Sequence, residues 1–294
     1  MRIDETSVRA KDGAIIPTIV YGAATEKTRG TVIVSHGFGE HSGSYRELAG
    51  QLGGANYSSV VFDQRGHGGF PEIPPEKKEK YRGRIPGYQS FMDDVDSVAD
   101  MVREMSPGAP IVLYGHSMGG NIAANYALRR KKDDLACVVL ESPWLGLNEK
   151  TKQPPPFVMK VLGALFPNVA LPKKLTKLSF SDITSDGPKQ KEFDDDALYH
   201  NRMTLRLISG INGGCSYALE NASGLSIPTY LAYAKDEKIL SNIPTHEFIE
   251  KCGPKMTGEE YDSRHAIHND RSRELFYRNV IAFLNAHCPE NAPE

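Results

Sequence analysis

A serine flanked by glycines, in the run Gly115-His116-Ser117-Met118-Gly119, carries the clearest chemical signal in the sequence. An apolar stretch precedes this run and a helix-forming stretch follows it, so the sequence predicts a strand, a sharp turn and a helix. Small residues two positions before and after the serine allow such a turn. Because the turn exposes the serine Oγ at the positive end of the helix, the pattern predicts a nucleophile.

A serine nucleophile needs a histidine to take its proton and a carboxylate to orient that histidine. After this type of turn, the acid comes next in the chain and the histidine last. Asp236 directly follows an apolar stretch and is the predicted acid, with Glu237 as its nearest competitor. His265 precedes the last predicted helix and is the predicted base, with His268 as the competing candidate.

Two backbone N–H groups are needed to stabilise the negative charge that develops on the substrate oxygen. The residue after the serine, Met118, is the first predicted donor. The second is assigned to Phe38, which lies between two glycines in the loop after an earlier apolar strand. These groups together predict acyl transfer through a covalent acyl-enzyme.

Composition excludes several other classes of protein. The 294 residues carry a net charge of only −2, which argues against a nucleic-acid partner. The four cysteines are widely scattered and show no metal-ligand spacing, so we expect no metal site and no disulfide framework. The N-terminus has no apolar signal region, and no stretch is apolar enough to span a membrane. We therefore expect a cytoplasmic protein.

Strand-like and helix-like stretches alternate along the chain, which is typical of a mostly parallel sheet with helices on both faces. The predicted fold class is α/β, with an eight-stranded sheet. The candidate strands are 7–10, 15–21, 31–35, 58–62, 111–114, 137–141, 229–233 and 259–262.

The alternation stops after residue 143 and resumes near residue 211, an interval too long for an ordinary loop. We predict an inserted helical cap at 144–210, between the two parts of the core, 1–143 and 211–294. Apolar residues at helical spacing in this cap could line an acyl pocket or contact a lipid interface. The alternative is that they only pack on the main domain. The candidate lining residues are Phe157, Val161, Leu162 and Leu165.

Motifs at 36–43, 62–68, 115–120, 234–236 and 264–270, taken in chain order, resemble those of the monoacylglycerol lipases and the related lysophospholipases. This resemblance implies an α/β-hydrolase with an apolar cap that acts on single-chain lipid esters without a cofactor. It also implies that Glu40 and His268 lie near the polar head of the substrate, which disfavours His268 as the base. Ser44 stands where the family often has an arginine, so a preference for glycerol is the least supported part of the resemblance.

We therefore expect a serine carboxylester hydrolase that converts monoacylglycerol to glycerol and fatty acid. A lysophospholipase and a general short-chain carboxylesterase are the alternatives, and a peptidase or amidase with the same triad stays open. A non-catalytic ligand-binding homologue is disfavoured because all three triad residues are present. The expected partner is a lipid ester, with peripheral membrane contact through the cap. The sequence leaves the oligomeric state open.

Overall fold

An eight-stranded sheet forms the centre of the protein, with strands in the order β1-β2-β4-β3-β5-β6-β7-β8. The structure is a computed structural model that describes residues 2–22, 28–69, 73–130, 134–148, 151, 154–176 and 178–289. The strands are β1 (Ile3–Arg9), β2 (Ile15–Tyr21), β3 (Thr31–Ser35), β4 (Ser58–Phe62), β5 (Ile111–His116), β6 (Cys137–Glu141), β7 (Thr229–Ala234) and β8 (Met256–Tyr261).

The strands from β3 to β8 pair in parallel, whereas β2 pairs antiparallel with both β1 and β4. The predicted α/β class and the mostly parallel eight-stranded sheet are confirmed. Because parallel strands all end at the same edge, the loops that follow β3, β5, β6, β7 and β8 meet there. In such sheets, ligand sites lie at this edge.

Side chains alternate between the two faces of the sheet and build a separate core on each. Ile33 and Leu113 face one core, while Val32 and Val112, their neighbours in sequence, face the other. These central strands are buried on both faces, which explains why they appear in the sequence as continuous apolar runs.

Helices cover both faces of the sheet. In the part of the chain that the structure describes, they are α1 (Arg46–Gly54), α2 (Pro75–Tyr81), α3 (Gln89–Met105), α4 (Met118–Arg129), α5 (Pro156–Leu165), α6 (Lys173–Thr176), α7 (Phe180–Ile183), α8 (Gly187–Asp195), α9 (Leu205–Asn221), α10 (Asn242–Cys252) and α11 (Arg273–His287). No helix among the described residues is both long and apolar enough to cross a membrane.

The chain between β6 and β7 contains helices α5 to α9. Residue 210, the predicted end of the cap, lies within α9, so a single helix continues across the predicted boundary. This helix also packs on the core, because Asn125 of α4 donates a hydrogen bond to the carbonyl oxygen of Gly214 at 3.0 Å. The division into core and cap at 144–210 stays a prediction.

Close packing between β3, β5 and α4 depends on a glycine at the start of α4. A Cβ atom added to Gly119 would lie 1.9 Å from the carbonyl oxygen of Ser35, the last residue of β3. That oxygen belongs to the backbone and cannot rotate away. The sequence motif therefore serves packing as well as the turn that exposes the serine.

We predict that Gly119→Ala destabilises the protein by about 1–3 kcal/mol or more, because overpacking against backbone forces β3 and α4 apart. The matched control is Gly50→Ala, at an exposed glycine in α1 whose added Cβ would have no neighbour within 4 Å. This control should stabilise the protein by up to about 1 kcal/mol, since alanine has the higher helix propensity. Urea unfolding measures both, and equal effects would contradict the packing argument.

Candidate active site

Ser117 occupies the turn between β5 and α4 with a backbone φ of 52° and ψ of −113°. This is the left-handed region, which non-glycine residues rarely adopt and which often marks functional sites. Its N–H donates to the carbonyl oxygen of Glu141 at 2.9 Å, and its carbonyl oxygen accepts from the N–H groups of Asn121 and Trp144. The structure thus gives Ser117 the strand–turn–helix setting that a nucleophilic serine requires.

The structure pairs His265 with Glu237 and not with Asp236. The Nδ1 atom of His265 lies 2.7 Å from the Glu237 carboxylate, and both side chains are buried, at 5% and 3% exposure. The second carboxylate oxygen of Glu237 accepts the backbone N–H groups of Ile239 and Leu240. When Nδ1–H donates to Glu237, Nε2 is the unprotonated nitrogen of the neutral imidazole.

The prediction of Asp236 as the acid that orients His265 is therefore wrong. The Asp236 side chain is one-third exposed and forms ion pairs with Lys238 and Arg264. The Lys238 ammonium lowers the pKa of Asp236, as expected of a solvated surface pair. The two acidic residues are adjacent in the chain, and the loop after β7 directs only Glu237 toward the histidine.

Burial and charge oppose each other in the Glu237–His265 pair. Burial acts to raise the pKa of Glu237, but the facing His265 outweighs it and lowers that pKa. For His265, burial acts to lower the pKa, and the charge of Glu237 outweighs it and raises that pKa. Both shifts stabilise the charged pair, which is the state formed when the imidazole accepts a proton.

The two predicted oxyanion donors belong to the start of α4 and to the loop after β3. Met118 is the first residue of α4, where backbone N–H groups have no partner within the helix. Phe38 lies in the loop after β3, next to Gly39, whose φ is 81°. Glu40 stabilises this loop, because its carboxylate accepts a hydrogen bond from the N–H of Gly37 at 2.7 Å. The assignment of these two N–H groups to an oxyanion hole stays a prediction.

Three histidine rings pack together beside Phe38. The rings of His36 and His67 lie 5.4 Å apart, and those of His67 and His200 lie 4.7 Å apart. Burial lowers the pKa of His36 to about 4, that of His67 to about 3 and that of His200 to about 2. These rings are therefore neutral at pH 7 and act as buried packing and hydrogen-bonding groups.

A second buried network lies directly behind the serine. His268 binds the Glu141 carboxylate through Nδ1 at 2.8 and 2.9 Å, and Tyr114 donates its hydroxyl to the same carboxylate. His116, Glu141 and His268 also bring three potential metal-ligand atoms within 4.8 Å of one another. The Glu141 oxygens already bind the His268 and Tyr114 groups, so this network holds the loop after β8 against β6.

The prediction that His268 contacts the head group is not supported by its position. Its side chain is 1% exposed, stacks on Tyr45 at a ring distance of 5.1 Å and does not line the cavity beside Ser117. Glu40 does line that cavity, but its carboxylate already accepts from Gly37 and Tyr45 and lies 3.4 Å from His116. Contact between Glu40 and a substrate stays a prediction.

A cavity of about 500 Å³ opens beside Ser117 and His265. Its volume falls within the range of pockets that bury a small organic ligand. Most of its lining is apolar and comes from the segment between β6 and β7: Trp144, Leu147, Pro154, Met159, Leu171, Leu175, Leu178, Ile183, Met203 and Ile208. Polar side chains are the minority of the lining, which is the pattern of a site for an apolar substrate.

The four predicted lining residues of α5 do not line this cavity. Phe157, Val161 and Leu165 are exposed at 75%, 39% and 66%, and Leu162 packs on the core. Met159 is the residue of α5 that reaches the cavity. Since α5 is apolar on more than one face, helical spacing alone does not show which face turns inward.

The parallel sheet, the serine turn and the buried carboxylate–imidazole pair define an α/β-hydrolase with the site of a serine hydrolase. Residues 26–272 match the family model described as serine aminopeptidase, S33. The chain belongs to this family of enzymes.

Relatives cover most of this chain at low identity. Phospholipase YtpA of Bacillus subtilis is 25% identical over 86% of this chain and 94% of its own length. Monoacylglycerol lipase of Mycolicibacterium smegmatis is 22% identical over 92% of this chain and 93% of its own. An abhydrolase domain-containing protein of Dictyostelium discoideum is 25% identical over 89% of this chain, but the match spans only 27% of that protein. The crystal structure of Paleococcus ferrophilus monoacylglycerol lipase superposes with a TM-score of 0.80 and 27% identity, over 92% of this chain and 99% of that chain.

We predict that Glu237→Gln lowers kcat for an activated ester by about 10²–10⁴-fold, because the imidazole loses its orienting charge. Asp236→Asn, the matched control at the neighbouring exposed acid, should retain kcat within about threefold, since a surface ion pair contributes little. Steady-state kinetics with a p-nitrophenyl ester measures both. A large loss in Asp236→Asn with Glu237→Gln unaffected would restore the original assignment.

Proposed function

We propose that this protein is a serine carboxylester hydrolase that acts on single-chain lipid esters, with monoacylglycerol as the substrate. The observation that carries the proposal is the apolar cavity of about 500 Å³ that ends at Ser117 and His265. An acyl chain gains free energy by leaving water for such a cavity, while the ester carbonyl lies at the polar end. Relatives named monoacylglycerol lipase and phospholipase support this class of substrate.

The proposed reaction has two steps. Ser117 Oγ attacks the ester carbonyl carbon while Nε2 of His265 takes the hydroxyl proton, and Glu237 stabilises the imidazolium. The N–H groups of Phe38 and Met118 stabilise the oxyanion until the C–O bond breaks and His265 returns the proton to the leaving alcohol. Water then attacks the acyl-enzyme with the same histidine as base, which releases the fatty acid and restores Ser117.

The polar residues at the edge of the cavity are the candidates for contact with the head group. Asp182 and Lys238 both line it, near His265, and they carry opposite charges. Lys238 already forms an ion pair with Asp236, so it offers little net attraction to a phosphate group, and Asp182 repels such a group. A neutral glycerol needs no charged partner, so monoacylglycerol is the first candidate, and lysophospholipid stays the second because a relative is named phospholipase.

An aminopeptidase activity is the remaining alternative, since the family model carries that description. Such a reaction needs a free carboxylate to bind the substrate ammonium. In the cavity, Glu40 is already bound by Gly37, Tyr45 and His116, and Asp182 is the other carboxylate of the lining. The apolar majority of the lining fits an acyl chain better than a charged peptide terminus.

A hydrolysis panel tests the substrate assignment. Monoacylglycerols, lysophosphatidylcholines, p-nitrophenyl esters of several chain lengths and aminoacyl anilides are compared by kcat/KM for the wild type and Ser117→Ala. We expect the highest kcat/KM for monoacylglycerol and no turnover by Ser117→Ala, which lacks the nucleophile. A preference for short p-nitrophenyl esters would indicate a general esterase, and faster cleavage of anilides would indicate a peptidase.

Several exposed apolar side chains lie in the predicted cap. Phe157, Leu165, Phe166, Val169 and Leu175 are each more than half exposed, and we call this group the apolar cap surface. Exposed apolar side chains that gather into a surface patch mark a contact with a partner or a lipid surface. We propose that the apolar cap surface rests on the lipid interface that holds the substrate.

We predict that Leu165→Glu weakens binding to phosphatidylcholine vesicles at least about tenfold, because a charged carboxylate replaces an apolar side chain at the interface. Leu275→Glu, at a leucine of α11 that is 41% exposed, is the matched control and should bind like the wild type. Vesicle sedimentation measures the fraction bound. Equal binding by the wild type and both variants would contradict a role for the cap surface.

A further inference from the structure

The loop that carries His265 is bound by a segment of the chain between β6 and β7. We call residues 264–270 the histidine loop and residues 181–186 the clamp segment. The backbone N–H of Ala266, next to His265, donates to the carbonyl oxygen of Ile183 at 2.9 Å. The clamp segment therefore contacts the histidine loop one residue from the proposed base.

Thr184 makes the central side-chain contact of the clamp segment. Its hydroxyl donates to the carbonyl oxygen of Asn269 at 2.7 Å and accepts the N–H of Asp186 at 3.1 Å. The side chain is fully buried, so water cannot replace a lost hydrogen bond. The Thr184 hydroxyl thus connects the clamp segment to the histidine loop at a buried position.

Asp270 makes the second connection and is also fully buried. One carboxylate oxygen accepts from the N–H and the hydroxyl of Ser185, and the other accepts the N–H of Arg264 at 2.6 Å. Arg264 in turn donates to the carbonyl oxygens of Ser181 and Thr184. The residue before His265 is therefore fixed from both its backbone and its side chain.

The side chains that make these contacts, Thr184, Arg264 and Asp270, do not line the cavity beside Ser117, so we assign them no bond-making step. Ile183 and Asp182 of the same segment do line that cavity. The clamp segment thus forms part of the substrate wall and also fixes the loop of the base. A displacement of the clamp segment from the cavity would therefore also displace the histidine loop, to which it is hydrogen-bonded.

We propose that Thr184 and Asp270 are positioning residues for His265, so that the clamp segment is a fixed support of the base. This inference rests on the proposed role of His265. The clamp keeps the imidazole between Ser117 and Glu237, where proton transfer needs alignment within a fraction of an ångström.

Several charged or titratable groups surround His265 and share control of its protonation. Glu237 lies on the loop after β7, and His116 ends β5 with its ring 5.0 Å from the ring of His265. The carboxylates of Glu141, at the end of β6, and of Glu40, in the loop after β3, also act to raise the pKa of His265. Asp236 lies nearer the surface and forms ion pairs with both Lys238 and Arg264. Loosening the clamp changes how closely His265 approaches Glu237, the group that raises the His265 pKa most.

The test compares Thr184→Val, which removes the hydroxyl at nearly constant shape, with Thr184→Ser, which keeps it. Thr204→Val is the matched control, since Thr204 is equally buried and its hydroxyl binds the carbonyl oxygen of Gly83, away from the histidine loop. For each variant we measure ester kcat and KM, the rate of labelling by a fluorophosphonate across pH, and the unfolding free energy.

We expect Thr184→Val to lower kcat and the labelling rate about tenfold with KM nearly unchanged, because the base is misaligned while the cavity is kept. The acidic limb of the labelling profile should shift to lower pH, since weaker contact with Glu237 lowers the His265 pKa. Thr184→Ser should restore both. Thr204→Val should lower the unfolding free energy about as much as Thr184→Val does. Its kcat and the acidic limb of its labelling profile should stay at the wild-type values.

Two results would overturn the proposal. One is a wild-type kcat and pH limb in Thr184→Val, and the other is the same kinetic loss in Thr204→Val. The labelling rate separates this proposal from the substrate assignment. A wild type that is labelled but hydrolyses no lipid ester refutes only the substrate, whereas a wild type that resists labelling refutes both.

Discussion

The left-handed backbone of Ser117 is the constraint on which the rest of the site depends. A non-glycine residue in that region costs of order 1–3 kcal/mol and persists only where its surroundings hold it. The N–H and carbonyl groups of Ser117 are held by the ends of β6 and α4 and by Trp144. Close contact of Gly119 with the end of β3 fixes α4 against the sheet. The same packing brings the loop of Phe38 to the serine turn, so the arrangement of two strands and a helix maintains the strain at this one residue.

Buried charge around the histidines is the second organising feature. Glu237 faces His265, Glu141 faces His268, and Glu40 faces His116. Burial alone would raise the pKa of each carboxyl, yet the facing histidines lower the pKa of all three, that of Glu141 to about 2. The site therefore keeps negative charge close to His265, the imidazole that becomes positive in the proposed mechanism. Such preorganised charge costs no reorganisation when the proton moves.

Local patterns predicted the serine turn, the central strands and the order of the functional loops, because each depends on residues close together in the chain. The acid was assigned one residue too early, since Asp236 and Glu237 differ only in the direction that the loop after β7 gives them. His268 and the inward face of α5 depend on packing between distant segments, which spacing does not show. Strand β8 begins at Met256, three residues before the predicted start. The sequence pattern missed these residues because Gly258 is a poor strand former. In the structure, the missing Cβ of Gly258 leaves room for Ile249 of α10.

The central claim is that Ser117 is the nucleophile activated by His265 and Glu237. The most direct measurement is peptide mapping by mass spectrometry after reaction of the folded protein with a fluorophosphonate. Our account predicts one adduct per chain on the peptide that contains Ser117, and none on Ser142, which is also buried with a positive φ of 40°. An adduct on a different residue, or an unmodified Ser117 after prolonged reaction, would contradict it.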